Sequence, residues 1–180
     1  MDTFKYFAYG SNILTERLRA PSRCPSAEPI GVGVIFGYTL EFSKRGRDIS
    51  GKATMVHSGK SEEHVFGVVF EVAISERAAL DKAEGVGSGY MRTDDLLVRL
   101  QQGREILRAA TYIATEADRT LQPYDWYRAL VIAGALQHTL PDQWIAMLNQ
   151  VASVPDPDPK RRSSAIAVLK KAGFGHLLKQ

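Results

Sequence analysis

The chain has one cysteine, four histidines and two tryptophans. Cys24 alone can form no internal disulfide and cannot anchor a cysteine-rich zinc site. His57, His64, His138 and His176 are scattered, with no pair at metal-ligand spacing. The longest apolar runs, Val65–Val69 and Ala129–Leu136, fall far short of the ~20 residues a membrane-spanning helix needs. Met1-Asp2-Thr3-Phe4-Lys5 lacks the basic-then-apolar layout of a secretory signal. Several chemistry-bearing motifs are missing too. Gly31-Val32-Gly33-Val34-Ile35-Phe36-Gly37 has neither the spacing nor the following helix of a dinucleotide fingerprint, and no Walker-type phosphate loop is present. Neither Ser11 nor Ser88 sits in a G-x-S-x-G elbow. A cytoplasmic protein that binds no membrane is the expectation these absences leave.

What is present is ordinary globular composition: 180 residues, 44% hydrophobic and 24% charged. A chain of this size buries roughly 70% of its unfolded surface and needs no staples. The net charge of +3 is unevenly spread: residues 160–180 carry +6 with no acid, and residues 1–159 carry −3. We therefore divide the chain into a main domain, 1–154, and a Pro-rich linker with a basic helical tail, 155–180. A basic tail can serve a binding module that contacts nucleic acid, a membrane surface or an acidic partner. Here Ile166, Val168, Leu169, Phe174, Leu177 and Leu178 form an apolar stripe. Such a stripe favours packing on the tail's own domain or on the second subunit of a homodimer, with no nucleic acid involved.

The periodicities predict a strand over 3–9, a short helix over 12–19 that Ser11 or Asn12 could cap, and one long strand over 29–43. Gly31, Gly33 and Gly37 fall on the opposite register of that strand, where close backbone approach or a bend is expected. A loop over 44–51 precedes strands 52–57 and 64–73. A helix capped by Ser75 runs to about Ala83. A hairpin follows, 90–100 and 105–115, turning at Gln101-Gln102-Gly103-Arg104. Helices are predicted over 124–138, 142–152 and 163–171. Cys24 reads as an incidental residue near a surface turn, and Asp94-Asp95 as a solvated edge. Without βαβ alternation the fold class is α+β: a small mixed β-barrel-like sheet flanked by helices.

Two places carry chemistry. Tyr9-Gly10-Ser11-Asn12 joins a strand to a helix, and backbone N–H groups converging there suit a carboxylate or oxyanion; an ordinary capped connection is the alternative. Glu84 ends a helix and precedes Gly85-Val86-Gly87-Ser88-Gly89. The negative end of the helix dipole and partial burial would push a carboxyl there towards the range of a general base; a solvated glutamate before a glycine cap is the alternative.

The run Tyr6-Phe7-Ala8-Tyr9-Gly10-Ser11-Asn12-Ile13-Leu14-Thr15-Glu16-Arg17 resembles the N-terminal signature of the γ-glutamylcyclotransferases. Phe66-Gly67-Val68-Val69-Phe70, Leu80-Asp81, Glu84-Gly85-Val86 and Ser88-Gly89 resemble that family's second block. Thr111-Tyr112, Tyr127 and Gly134-Ala135 resemble its third. The resemblance spans about residues 3–150. It implies a small barrel-like sheet with helices around it, no metal and no organic cofactor. It implies cyclisation of a γ-glutamyl-amino acid, the small-molecule substrate, to 5-oxoproline with release of the free amino acid. γ-Glutamylamines or a γ-glutamyl-protected biosynthetic intermediate are the alternative substrates. Glu84 would be the catalytic acid/base. Tyr6, Phe7, Ala8, Tyr9, Gly10, Ser11 and Asn12 would form the substrate loop, with Tyr112 and Tyr127 lining the pocket. One departure stands out. Some members carry an aromatic seven positions after the glutamate, which here is Met91, and Tyr90 comes one position earlier.

Overall fold

Alternation in the first strand sets the sheet. β1 (Thr3–Ala8) pairs antiparallel with β5 (His64–Ala73) along its whole length and meets β7 (Ile106–Ala114) in parallel on its other edge, with Tyr6 opposite Ala110. β5 pairs with β2 (Glu28–Phe36), β2 with β6 (Tyr90–Leu100), and β6 with β7, all antiparallel. The order β1-β5-β2-β6-β7 closes into a barrel, which removes the exposed strand edges that invite aggregation. The coordinates are a computed structural model that describes residues 2–103 and 105–178. Arg104 of the expected hairpin turn and Lys179 of the basic tail lie outside the described residues, as do Met1 and Gln180.

Phe7 fills the barrel, and Gly33 and Gly67, register partners on β2 and β5, make room for it. A Cβ on Gly67 would come within 2.7 Å of the Phe7 ring, and one on Gly33 within 2.5 Å of Val98. The close approach expected of the β2 glycines is therefore real at Gly33. Gly37 provides the bend. Its φ of +80° is a conformation L side chains rarely adopt, and it splits the expected single strand into β2 and β3 (Tyr38–Arg45). β3 leaves the barrel and pairs only with β4 (Gly51–His57). The hairpin is tied to β7 by the Ala114 N–H, which donates to Thr54 Oγ1 at 3.0 Å. Lys44, expected in a loop, consequently lies on a strand.

The expected helix over 12–19 is instead a 3₁₀ turn, Ser11–Ile13, and a single-turn α1 (Thr15–Leu18), with extended Leu14 between them. Ile13, Leu14 and Leu18 are all fully buried. Neither Ser11 nor Asn12 caps this segment through its side chain, so both are free for other partners. Ser75 likewise makes no cap: a 3₁₀ turn, Ile74–Glu76, leads into α2 (Arg77–Glu84). Cys24 is fully buried rather than near the surface, and burial pushes its thiol up to about 12.

α3 (Asp125–Gln137) is buried along most of its length and packs Gly134 against the backbone of Ile13 and Leu14. α4 (Asp142–Gln150) and α5 (Pro159–Lys171) pack beside it. α5 begins four residues earlier than expected. Asp158 caps it, accepting from the Lys160 N–H at 2.9 Å, and Pro159 takes the first helical position, where its missing N–H costs nothing. Ala165, Leu169 and Leu178 are buried in the common core, so the apolar stripe of the tail is covered by this chain's own domain. Among the described residues no helix is long and apolar enough to cross a membrane.

Candidate active site

α2 stops at Glu84 because Gly85 turns left-handed at φ +74° and, with Val86, donates its N–H back to the Asp81 carbonyl at 2.9 and 3.0 Å. This fixes the Glu84 carboxyl on the last helical turn with 18% of the side chain exposed. Its Oε1 accepts from Asn12 Nδ2 at 2.7 Å and from Arg23 Nη1 at 3.2 Å. Asn12 also donates to the Tyr6 hydroxyl at 3.3 Å, and its Oδ1 is buried with no partner among the described residues. One turn before Glu84, Asp81 accepts from the Tyr112 hydroxyl at 2.7 Å and from Arg92 Nη1 at 2.5 Å. The helix end is thereby clamped to β6 and β7.

Five tyrosines surround this carboxyl. The Tyr9 hydroxyl donates to the Tyr112 carbonyl, and the Tyr90 hydroxyl donates to the Ala53 carbonyl at 2.5 Å. The Ala53 N–H donates to the Tyr127 hydroxyl at 3.1 Å. Tyr6 and Tyr112 meet edge to face, with ring centres 5.7 Å apart. Burial, reinforced by the Glu84 charge, raises the hydroxyl pKa of Tyr6, Tyr9, Tyr90, Tyr112 and Tyr127. All five therefore stay protonated at neutral pH. Gly10 is tightly fitted here: a Cβ would sit 3.2 Å from both Ala53 Cβ and the Tyr127 hydroxyl.

Two cavities meet at Glu84. An inner cleft of about 30 Å³ is bordered by Gly10, Asn12, Ala53 and the five tyrosines. An outer vestibule of about 330 Å³ opens from it. Ser11, Glu84, Tyr90 and Tyr127 border both. Nine of the eleven residues singled out from the sequence thus come together: Glu84, Tyr6, Tyr9, Gly10, Ser11, Asn12, Tyr90, Tyr112 and Tyr127. Phe7 and Ala8, counted with the substrate loop, border neither cavity. Strand alternation turns Phe7 into the barrel, and Ala8 is buried in the core. Tyr90 borders the cleft, while its neighbour Met91 is 57% exposed.

The sequence reading missed Arg17, Arg23, Lys44, Lys52, Trp126 and Arg161, all of which border the vestibule. Arg17 lies inside the N-terminal signature, which is the one signal that could have flagged it. Its Nε donates to Ser11 Oγ at 2.9 Å, and burial lowers its pKa to about 10. Lys52 pairs with Asp48 at 2.7 Å and lies over the Trp126 and Tyr127 rings. Arg161 comes from the tail helix and is held by Asp156 at 2.7 Å.

This constellation can hold a small, polar, partly cationic ligand against one carboxylate while excluding water from the inner end. Comparison with known proteins gives it a family. Residues 64–148 match the model of the AIG2-like family. The γ-glutamylcyclotransferase of Bos taurus is 34% identical over 155 residues, covering 83% of this chain and 79% of the bovine one. That of Homo sapiens is 33% identical with the same coverage. A solved structure titled γ-glutamyl cyclotransferase superposes with a TM-score of 0.80 at 27% identity, over 94% of this chain and 99% of its own. A glutamate at a glycine-terminated helix end beside a Tyr-Gly-Ser-Asn loop, with this likeness along most of the chain, places the protein in the γ-glutamylcyclotransferase family.

Proposed function

We propose that this chain cyclises the γ-glutamyl group of γ-glutamyl-amino acids to 5-oxoproline and releases the free amino acid, with Glu84 as the proton carrier. The observation that carries the reading is that Glu84 is, among the described residues, the one acid bordering the inner cleft and is held there by Asn12. The α-ammonium of the substrate is the group such a site attracts. Glu84 accepts its proton, and the buried Asn12 Oδ1, which has no partner among the described residues, is a second acceptor for the same nitrogen.

The freed amine attacks its own γ-carbonyl carbon, closing a five-membered ring. The amide C–N bond then breaks. The two protons the ammonium gives up end on the departing nitrogen, Glu84 relaying them, so the enzyme returns to its starting state. General acid–base transfer of this kind contributes roughly 10²–10⁴-fold. Because the nucleophile is tethered, the proximity advantage of roughly 7–11 kcal/mol over a bimolecular attack lies largely in the substrate, and the protein need only hold the folded-back conformer. The tyrosine hydroxyls, kept protonated and fixed by backbone partners or by the side chains of Asn12 and Asp81, shape the cleft around that conformer. Backbone N–H groups at Gly10 and Ser11, which border the cleft, are donors available to the developing oxyanion.

The test is release of 5-oxoproline from a panel of γ-glutamyl dipeptides, glutathione and γ-glutamylamines. The reading predicts turnover of the dipeptides. A protein that yields no 5-oxoproline from any of them contradicts it.

A further inference from the structure

The vestibule is more basic than the chemistry at Glu84 requires. Lys44 on β3 stands directly opposite Lys52 on β4, and both border the vestibule. Like charges directly opposite across a strand pair are destabilising, so this arrangement calls for a reason outside the hairpin. Asp48 balances Lys52 at 2.7 Å. Lys44 has no hydrogen-bond or carboxylate partner among the described residues, although only 8% of it is exposed. Its ammonium lies 4.7 Å over the Tyr90 ring, at the edge of the shared mouth. Arg17 has Ser11 Oγ as its partner and no carboxylate among the described residues. Arg47, exposed at the rim, has none either. The other two guanidiniums are committed, Arg23 to Glu84 and Arg161 to Asp156 and Asp158.

Three cations are therefore left over, arranged from the cleft outward. Arg17 is innermost, beside Ser11. Lys44 is at the mouth and Arg47 at the rim. A γ-glutamyl-amino acid brings two carboxylates, one on the glutamyl group and one on the leaving residue. An acidic leaving residue brings a third.

We infer that Arg17, Lys44 and Arg47 form a carboxylate receptor, and that the enzyme prefers γ-glutamyl substrates whose leaving amino acid carries a second carboxylate. This rests on the cyclisation proposed above and goes beyond it by naming the class of leaving group. Arg17 takes the glutamyl α-carboxylate. Lys44 and Arg47 take the two carboxylates of a departing aspartate or glutamate. A γ-glutamylamine leaves both outer cations unmatched.

The experiment compares kcat/KM for γ-glutamyl-glutamate, γ-glutamyl-alanine and γ-glutamyl-methylamide, read as 5-oxoproline release, in the wild type and in Lys44→Met and Arg47→Ala. Lys44→Met keeps the length of the buried stem, and Arg47 is exposed, so both variants should fold; circular dichroism checks this. The wild type should prefer them in the order written, by about tenfold per carboxylate and mainly through KM. Raising ionic strength should compress that order, because rim charges are screened. Each variant should reduce the glutamate-to-alanine ratio by about fivefold. Equal kcat/KM for the dipeptides, or a ratio neither variant moves, overturns the receptor while leaving the cyclisation standing. No 5-oxoproline from any of the three overturns the cyclisation, and the receptor with it.

Discussion

Asp156 is the hinge on which the basic tail turns into a wall of the site, and removing its charge should be expensive. Its carboxylate is fully buried and accepts from Arg161 Nε at 2.9 Å, Arg161 Nη2 at 2.7 Å, Trp126 Nε1 at 2.7 Å and the Asp158 N–H at 2.8 Å. The Arg161 guanidinium, ahead of the other donors, lowers its pKa from 3.8 to about 2. A carboxyl that titrates near 2 when folded and near 3.8 when unfolded contributes about 2.5 kcal/mol of stability. Because the folded value is depressed, that contribution is complete above about pH 5, roughly half lost by pH 3 and mostly gone at pH 2. Asp156→Asn keeps the shape, removes the charge and turns an NH₂ towards donors. We expect a loss of about 2–3 kcal/mol at pH 7, read as a lower midpoint in urea. The gap between wild type and variant should narrow by about 1 kcal/mol on going to pH 3. A pH 7 loss under about 0.5 kcal/mol, or a gap that stays constant with pH, would refute the reasoning.

Two further outcomes follow from packing. Gly134→Ala would place a Cβ 2.5 Å from the Leu14 backbone nitrogen and 2.7 Å from the Ile13 carbonyl carbon, neither of which can move aside. It should therefore destabilise by about 2 kcal/mol or more despite alanine's better helix propensity, and an unchanged melting temperature would contradict this. Cys24, buried and with its thiol raised to about 12, should resist a thiol reagent in the native protein and react once guanidinium unfolds it. Immediate native-state labelling would contradict the burial of Cys24.

The parts of this molecule legible in its sequence are those where one short segment carries the whole device. Glu84 followed by Gly85 is a helix end with a left-handed cap, and Tyr9-Gly10-Ser11-Asn12 is a strand end; both lie where the pattern puts them. The split between β2 and β3 was not legible, because the two-residue period continues unchanged through Gly37 and only the backbone angle there shows where the chain leaves the barrel. The break at Leu14 escaped for a similar reason: the apolar spacing continues through it, and only the extended backbone there shows the interruption. The vestibule was invisible for a stronger one. Lys44 and Lys52 become neighbours only through the β3–β4 register, Arg23 reaches Glu84 across 61 positions, and Arg161 arrives from a helix that the net-charge arithmetic had set apart. Charge totals showed that the tail is basic. They could not show that one of its arginines is folded against the mouth of the site.

The central claim is that Glu84 carries the proton in a cyclisation. Glu84→Gln retains the shape and the capacity to accept from Asn12 while removing the base. The direct measurement is 5-oxoproline released from a γ-glutamyl dipeptide by the variant and the wild type, with the fold of both checked by circular dichroism. The account predicts a folded variant whose kcat falls by about 10²-fold or more. A folded Glu84→Gln protein that releases 5-oxoproline at near wild-type rate would contradict it.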